Sequence, residues 1–297
     1  MNPTMLELLA CPRCRGPLLR DGDRALRCGC GAEFPVIGGT PRLADGAGGR
    51  DPRIAAELEA QHHALPLYVD KQSVMNRWEE LMFERLLEWL GPGDTPVLDL
   101  GCGVGVLGRL WAESGQRAPL IGMDLVVELL NEAGNGYIGL VEGDVHHMPF
   151  RDGAFAGVIM ANALHHVADP VSALREVRRS LRPGGALVTY DPRELAPIEL
   201  AKKVLRRGND AFGEHHRAFR VDEYRGFFED AGLRVERFAV TDPVAPLVAA
   251  GLDMMHAGRF GLTERAARAL KRLDEGIERV VGEGRIGLML VARATRA

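Results

Sequence analysis

The sequence has little lysine, few aromatic residues and few cysteines outside one cluster. Only four of its 37 basic residues are lysine, and aromatic residues occupy 6% of its 297 positions. The preference for arginine indicates a GC-rich genome rather than a function. The net charge of −4 gives no overall attraction to nucleic acid, so such binding would need a local basic patch.

The sequence also lacks long apolar runs. Because no stretch reaches about 18 consecutive apolar residues, we expect no membrane span. The first residues, MNPTMLELLACPRC, lack a basic region, a long apolar run and a cleavage site, so no signal peptide is expected. We therefore expect a cytoplasmic protein, in which structural disulfides are rare and clustered cysteines are metal ligands. Nothing in the sequence indicates the oligomeric state.

Four of the five cysteines lie in the pairs CPRC and CGC near the N-terminus. Cys11, Cys14, Cys28 and Cys30 are predicted metal ligands, because four thiolates favour tetrahedral zinc. The segment GPLLRDGDRALR between the pairs predicts a β-hairpin. A segment of about 45 residues buries too little core to fold alone, which gives a metal a structural purpose. The short C-x-C pair is tighter than usual in such sites, so a ribbon without metal stays an alternative.

The composition predicts three parts along the chain. Residues 1–45 form a small zinc-ribbon-like domain, and 46–91 contain a linker and N-terminal helices. The linker is indicated by the glycine-rich, polar DGAGGRDPR, and a helix by apolar residues at helical spacing from Trp78 to Trp89. Residues 92–297 form the main domain, with helical insertions around 193–220 and 243–284.

From Val97 onward, apolar runs alternate with helical segments. The predicted strands are VLDL (97–100), PLIGMD (119–124), YIGLVEGD (137–144), FAGVIMAN (155–162), ALVTYD (186–191), LRVERFAV (233–240) and GLMLVARAT (287–295). Strands separated by helices indicate a parallel, doubly wound sheet. The predicted fold class is therefore α/β, with a Rossmann-like, mostly parallel seven-stranded sheet.

The turn after the first of these strands, VLDLGCGVGVLG, contains two overlapping glycine patterns. Gly101, Gly103 and Gly105 follow the acidic Asp99, whereas Gly103, Gly105 and Gly108 spell the dinucleotide fingerprint. Glycines at a strand's carboxyl end allow a ligand to approach the backbone closely. A carboxylate at Asp99 would repel a pyrophosphate but suits a ligand that carries an ammonium and a sulfonium.

Five motifs in order between Val97 and Thr189 resemble the class I S-adenosylmethionine-dependent methyltransferases. They are VLDLGCGVG, IGMD, VEGDVHHMPF, FAGVIMANALHHVADP and LRPGGALVTYDP. The resemblance implies S-adenosylmethionine as cofactor and leaves a nicotinamide-dependent dehydrogenase as a minor alternative. It implies cofactor contacts from Asp99, Gly101, Cys102, Gly103, Gly105, Asp124, Leu125, Gly143, Asp144, Val145 and Asn162. Asp124 would bind the ribose and Asp144 the adenine amino group, unless Asp144 caps the following turn. For Gly108 we expect helix–sheet packing, and Cys102 also suits a buried, space-filling role.

The N-terminal segment, from LLACPRC to GGTPRL, resembles the small zinc-ribbon protein that activates tRNA, rRNA and release-factor methyltransferases. It is also similar to the zinc-binding N-terminus of guanine-modifying rRNA methyltransferases. The resemblance implies Zn²⁺ at the four cysteines and makes RNA a candidate partner. It also raises a third alternative, a catalytically silent activating partner, against which the complete set of cofactor motifs argues.

Two classes of methyl acceptor stay open. A small molecule with an O, N or C nucleophile is favoured by the net negative charge and by the apolar segment DPVAPLVAAGLDMMHAG. An rRNA or tRNA base is favoured by the ribbon resemblance and by KKVLRR at 202–207, although such a cluster also suits a solvated helix face. We predict the small-molecule acceptor, with RNA as the alternative.

Residues after the fourth and fifth strands are expected to face the transferred methyl group. His165, His166 and Tyr190 are the catalytic candidates, since histidine titrates near neutrality, although packing roles suit the histidines equally. A base is needed only when the acceptor loses a proton. Further candidates near the ligands are Tyr68, Asn76, Asp191, His215, His216 and Arg217. Trp78 is expected to pack in the core.

Overall fold

The computed structural model describes residues 1–44, 65–195, 218–282 and 284–297. Its N-terminal part contains α1 (Pro3–Leu8) and the antiparallel strands β1 (Leu18–Asp21), β2 (Ala25–Cys28), β3 (Glu33–Ile37) and β4 (Thr40–Pro41). These strands form one sheet in the order β1-β2-β3-β4. β1 and β2 are the predicted hairpin, in which Leu18 lies opposite Cys28.

The rest of the described chain is an α/β domain. Its strands are β5 (Val97–Leu100), β6 (Leu120–Asp124), β7 (Gly139–Glu142), β8 (Phe155–Ala161), β9 (Leu181–Pro192), β10 (Arg234–Thr241) and β11 (Met289–Thr295). Its helices are α2 (Val74–Leu90), α3 (Val106–Glu113), α4 (Val127–Glu132), α5 (Pro170–Ser180), α6 (Val221–Asp230), α7 (Ala245–Met254) and α8 (Thr263–Val281). Short 3₁₀ turns at Val145–His147, Leu164–His166 and Ala257–Phe260 join them.

The seven strands form one sheet in the order β10-β11-β9-β8-β5-β6-β7. Strands β5 to β9 are parallel, and β11 runs antiparallel between β9 and β10. The predicted fold class, a mostly parallel seven-stranded sheet preceded by a zinc-ribbon-like domain, is confirmed. The last strand of the chain, β11, lies inside the sheet between β9 and β10, and β10 forms the edge.

Helix ends follow local capping chemistry. Helix α5 begins where the Asp169 carboxylate accepts a hydrogen bond from the Ser172 amide at 3.0 Å, followed by Pro170 at its first position. Helix α2 begins at Ser73, whose hydroxyl accepts from the Asn76 amide, and ends at Gly91, which has a φ of +82°. Each of these two helices thus begins at a residue whose side chain accepts a hydrogen bond from a free backbone amide of the first turn.

The ribbon packs on the outer edge of the main sheet, at β7. The Leu43 amide donates to the Glu142 carbonyl at 2.8 Å, and Arg42 bridges Glu142 in parallel register. Met5 of α1 covers Gly139, where a Cβ atom would lie 2.0 Å from the methionine sulfur. Buried residues of the ribbon and of the main sheet belong to one hydrophobic core. The ribbon therefore gains from the larger domain the core that it could not form alone.

Several predicted features lie outside the described residues. They are the linker DGAGGRDPR (45–53), the basic cluster at 202–207, and His215, His216 and Arg217. Of the two predicted insertions, the second contains α7 and α8, which pack on α2. Within the described residues, no helix is long and apolar enough to cross a membrane.

Candidate functional site

A cavity of about 520 Å³ opens at the carboxyl ends of β5, β6, β7 and β8. It lies where the strand order reverses, because β5 has β6 on one side and β8 on the other. This switch point is where ligands bind in doubly wound sheets. Helix α2 contributes Glu79 and Phe83 to the lining, and Tyr68 contributes from the segment before it.

The glycine turn forms one wall of this cavity. Gly101 and Gly103 have φ values of +76° and +50°, which L-residues rarely adopt. The Asp124 carboxylate holds the turn by accepting from the Gly103 amide at 2.8 Å, and it also accepts from the Val126 amide at 2.9 Å. Burial raises the pKa of Asp124 above its usual value. The Asp124 side chain of the motif IGMD thus holds the glycine turn of the motif VLDLGCGVG at the edge of the sheet that faces the cavity.

Nine of the eleven predicted cofactor residues line the cavity. They are Gly101, Cys102, Gly103, Asp124, Leu125, Gly143, Asp144, Val145 and Asn162. The other two, Asp99 and Gly105, do not. Gly105 instead packs against helix α4, where a Cβ atom would lie 3.0 Å from the Ala133 backbone.

Asp99 points to a neighbouring side chain instead of into the cavity. It is 3% exposed, and its carboxyl group accepts from the Tyr137 hydroxyl at 2.6 Å. That hydroxyl in turn accepts from the Gly108 amide at 3.1 Å, and a Cβ atom on Gly108 would lie 2.2 Å from the Tyr137 ring. Gly108 therefore has the expected packing role. Burial raises the pKa of Asp99 to about 7. Our argument that Asp99 meets a cationic ligand directly is not supported by this geometry, because the strand turns its side chain towards Tyr137.

Asp144 has the capping role and lies where the predicted adenine contact requires it. It lines the cavity, and its carboxylate caps the next turn by accepting from the His146 amide at 2.9 Å. Burial alone would raise the pKa of Asp144, but hydrogen bonds from the His146 ring and backbone lower it below the usual value. The carboxylate is therefore held ionised, as an acceptor for a ligand's amino group requires.

Of the three catalytic candidates, one lines the cavity and two do not. His166 lines the cavity, whereas His165 and Tyr190 do not. His165 is buried with its Nδ1 3.0 Å from Asp191, and the Tyr190 hydroxyl donates to Asp242 at 3.0 Å. Tyr190 lies in β9, where successive side chains point to opposite faces of the sheet, and the two histidines point in different directions from their 3₁₀ turn.

The candidate residues that precede β5 also differ in whether they line the cavity. Tyr68 lines the cavity, and Trp78 is buried in the core as expected. The Asn76 amide group donates to the carbonyls of Leu67 and Asp70, at 2.7 and 3.2 Å, and so holds the segment that carries Tyr68. Asn76 therefore affects the cavity indirectly, by holding the backbone of the segment that carries Tyr68.

Sequence reasoning missed Glu79. Its carboxyl group lines the cavity and accepts from the Asn162 side-chain amide at 3.0 Å. Burial raises the pKa of Glu79 to about 7. The available signal was its position four residues before Phe83, which places a carboxyl group on the helix face that otherwise carries apolar residues.

The four predicted metal ligands come together in the ribbon. The Sγ atoms of Cys11, Cys14, Cys28 and Cys30 all lie within 4.8 Å of one another. Cys11 and Cys30 are separated by 3.8 Å, and Cys14 and Cys28 by 3.4 Å. Thiolates around tetrahedral zinc lie about 3.8 Å apart, given a Zn–S length of about 2.3 Å. Both members of the short C-x-C pair therefore reach the cluster, and the donor set fits zinc.

The protein-family comparison matches residues 98–189 to a methyltransferase domain. A ubiquinone/menaquinone biosynthesis C-methyltransferase of Desulfotalea psychrophila is 37% identical over 106 residues, which are 34% of this chain and 42% of that protein. The chain spans between 31% and 50% of the length of the first curated relatives.

Solved structures share the fold at low sequence identity. An S-adenosylmethionine-dependent methyltransferase of Thermotoga maritima has a TM-score of 0.54 at 17% identity, covering 80% of this chain and 100% of that one. The complex of the Haloferax volcanii Trm112 methyltransferase activator with a methyltransferase has a TM-score of 0.51 at 18% identity, covering 83% and 96%. Residues 98–189 therefore belong to a methyltransferase domain, whose fold and motif order are those of the class I S-adenosylmethionine-dependent enzymes, and a zinc-ribbon-like segment precedes it.

Proposed function

We propose that this protein transfers a methyl group from S-adenosylmethionine to an O, N or C nucleophile of a small-molecule acceptor. The cavity at the switch point carries the proposal, because nine of the predicted cofactor residues line it together. Its volume of about 520 Å³ lies in the range of small-molecule sites. Apolar residues of α2, β6 and β8 complete the wall.

Each wall of the cavity has a part in holding the cofactor. The backbone at Gly101 and Gly103 leaves room for the methionyl portion, Asp124 offers a carboxylate to the ribose, and Asp144 offers one to the adenine amino group. When bound, S-adenosylmethionine supplies an electrophilic methyl group on a sulfonium. The protein's task is to align the acceptor with that methyl and to exclude water.

We further propose that Zn²⁺ binds at Cys11, Cys14, Cys28 and Cys30. The convergence of the four sulfur atoms supports this assignment. The Ala32 amide lowers the pKa of the Cys30 thiol to about 7, which favours the thiolate that zinc requires. The metal would be structural, since all four positions of a tetrahedral site are filled by protein.

The acidic neighbours of two ribbon arginines favour a small molecule over RNA. Arg20 pairs with Asp23, and Arg27 lies 2.8 Å from Asp21 and 3.3 Å from Glu33. Arginines paired in this way are poorly placed to bind phosphates. Relatives named for quinone methylation also act on small molecules. The match to a structure containing an activator keeps RNA as the second candidate.

The test measures transfer of a tritiated methyl group from S-adenosylmethionine. The purified protein is offered the small-molecule extract and the total RNA of the same cells in separate reactions. We expect label in the small-molecule fraction and none from Gly101→Val, whose Cβ would lie 2.5 Å from Ala163. Label in RNA alone would favour the second candidate. Label in neither fraction, with normal cofactor binding, would favour a silent partner.

A further inference from the structure

Glu79 reaches the cavity from an element that carries none of the predicted cofactor contacts. It lies on α2, and its Oε1 accepts from the Nδ2 atom of Asn162 at 3.0 Å. Asn162 follows β8, its amide donates to the Tyr190 carbonyl at 2.7 Å, and it has a φ of +50°. The hydrogen bond between the two side chains joins Glu79 of α2 to the residue that follows β8. The carboxyl group is therefore fixed at the end of β8, where the methyl group is expected.

The surroundings of Glu79 leave its charge uncompensated. In the described parts of the chain, no arginine or lysine pairs with it. Its neighbour on the helix, Glu80, instead pairs with Arg77 and Arg109, at 2.7 and 2.8 Å. The charge of Glu79 helps to raise the pKa of Tyr190 on β9. The other titratable groups that line the cavity are Tyr68, Cys102, Asp124, Asp144, His146, His147, His166 and Asp169.

We propose that Glu79 is the catalytic base, which accepts the proton of the methyl acceptor during transfer. This inference rests on the proposed function. As the bond from the acceptor atom to the methyl carbon forms and the sulfur–methyl bond breaks, the acceptor's proton passes to a Glu79 carboxylate oxygen. The donor leaves as the neutral thioether S-adenosylhomocysteine, and Glu79 later loses its proton to solvent.

The chemistry of Glu79 suits this step. With a pKa of about 7, the carboxylate is partly ionised at neutral pH and is a stronger base than an ordinary glutamate. Three histidines also line the cavity, namely His146, His147 and His166. The rings of His146 and His147 lie 3.0 and 3.5 Å from the Asp144 carboxylate, and the His166 ring packs at a tilt against His165 at a centroid distance of 4.1 Å. The substrate class follows from the proton: the acceptor carries a hydroxyl, an N–H or an acidic C–H group. A tertiary amine or a thioether would not need Glu79.

The first experiment tests the position of the Glu79 carboxylate and requires no methyl acceptor. Sinefungin is an S-adenosylmethionine analogue in which an ammonium group on carbon replaces the methyl sulfonium. Isothermal titration calorimetry at pH 8 compares its Kd with that of S-adenosylhomocysteine, which lacks that group. We expect Glu79→Gln to reduce the preference for sinefungin about tenfold while leaving the Kd of S-adenosylhomocysteine unchanged. Glu88→Gln, the same change at an exposed position of α2, should leave both constants unchanged. An unchanged preference in Glu79→Gln would overturn the inference.

The second experiment measures the rate of methyl transfer into the small-molecule extract. A glutamine at position 79 can still accept the hydrogen bond from Asn162 but cannot take a proton, so we expect a rate loss of about 100-fold or more. The wild-type rate should rise with pH through an apparent pKa near 7, and this rise should disappear in the variant. A purely structural role would leave Glu79→Gln close to wild type.

The two proposals fail in different ways. A wild-type rate retained by Glu79→Gln, or a loss of the pH dependence in His166→Gln instead, would overturn the assignment of the base alone. An absence of label from the wild-type protein would contradict the proposed function. In that case the sinefungin preference still decides whether the Glu79 carboxylate faces the transferred group.

Discussion

The Arg15 guanidinium of the ribbon donates a hydrogen bond to the Met148 carbonyl at 2.5 Å and pairs with Glu176 at 2.7 Å. Arg15 directly follows the predicted metal ligand Cys14, and Met148 directly follows the segment from Gly143 to His147 that lines the cavity. Arg15 therefore connects the predicted metal site to the segment of the predicted adenine site, next to the Ala10 amide, which donates to the Pro149 carbonyl at 2.9 Å.

The first prediction concerns this connection. Arg15→Ala removes the hydrogen bond to Met148, so the segment that contains Asp144 should be held less firmly. We expect the Kd of S-adenosylhomocysteine to rise about three- to tenfold, measured by calorimetry. Arg24→Ala, an exposed position of the same ribbon, is the matched control. Unchanged affinity in Arg15→Ala would mean that the ribbon stabilises the fold without supporting the cofactor site.

The second prediction concerns metal removal. We expect about one zinc ion per chain by atomic absorption. Chelation, or Cys28→Ser, should lower Tm, because the ribbon shares one core with the main sheet. The affinity for S-adenosylhomocysteine should fall in parallel through Arg15. Metal-free wild-type protein with an unchanged Tm would show that the hairpin and the shared core suffice, as in a ribbon that has lost its metal.

The third prediction concerns the packing of Gly108. Gly108→Ala places a Cβ atom 2.2 Å from the Tyr137 ring, and overpacking of this kind destabilises by about 1–3 kcal/mol. Urea denaturation measures the loss. Gly276→Ala is the control, because nothing lies within 4 Å of its Cβ position on α8. There alanine should stabilise by up to about 1 kcal/mol. Equal effects at both positions would contradict the structure around Tyr137.

The fourth prediction is a pH dependence at Asp99. Burial raises its pKa from 3.8 to about 7, so the native state binds a proton more tightly than the unfolded state. The free energy of unfolding should therefore fall as pH rises from about 4 towards 7 and stay level above that. Asn cannot ionise but can still accept from Tyr137. Between pH 5 and pH 8, the wild type should lose about 2–3 kcal/mol more than Asp99→Asn does. Parallel curves for the two proteins would show that Asp99 is ionised throughout.

The main sheet was largely predictable because parallel strands buried on both faces appear as continuous apolar runs. The strand at 97–100 has the same bounds in sequence and structure. Strand β9 was predicted as ALVTYD (186–191), but it begins earlier, at Leu181, because Leu181 pairs with Phe155 of β8. Its partner strand, and not its own composition, extends it.

The site was predictable where contacts come from the backbone or from a motif, as at Gly101, Gly103 and Asp124. The direction of a side chain at a strand end depends on neighbours distant in sequence. This explains why Asp99 points to Tyr137, and why the Tyr190 hydroxyl points to Asp242, instead of into the cavity. Glu79 belongs to no motif, and its role depends on how α2 lies over β8. The docking of the ribbon on β7 also depends on two surfaces that carry no local signature.

The covalent link between ribbon and sheet has a consequence for the edge strand β7. An open strand edge can recruit another chain, and here Leu43 occupies part of that edge. A ribbon on a separate polypeptide would dissociate from the sheet on dilution. A ribbon in the same chain stays at high local concentration, so the shielding of this edge should not vary with the concentration of the protein.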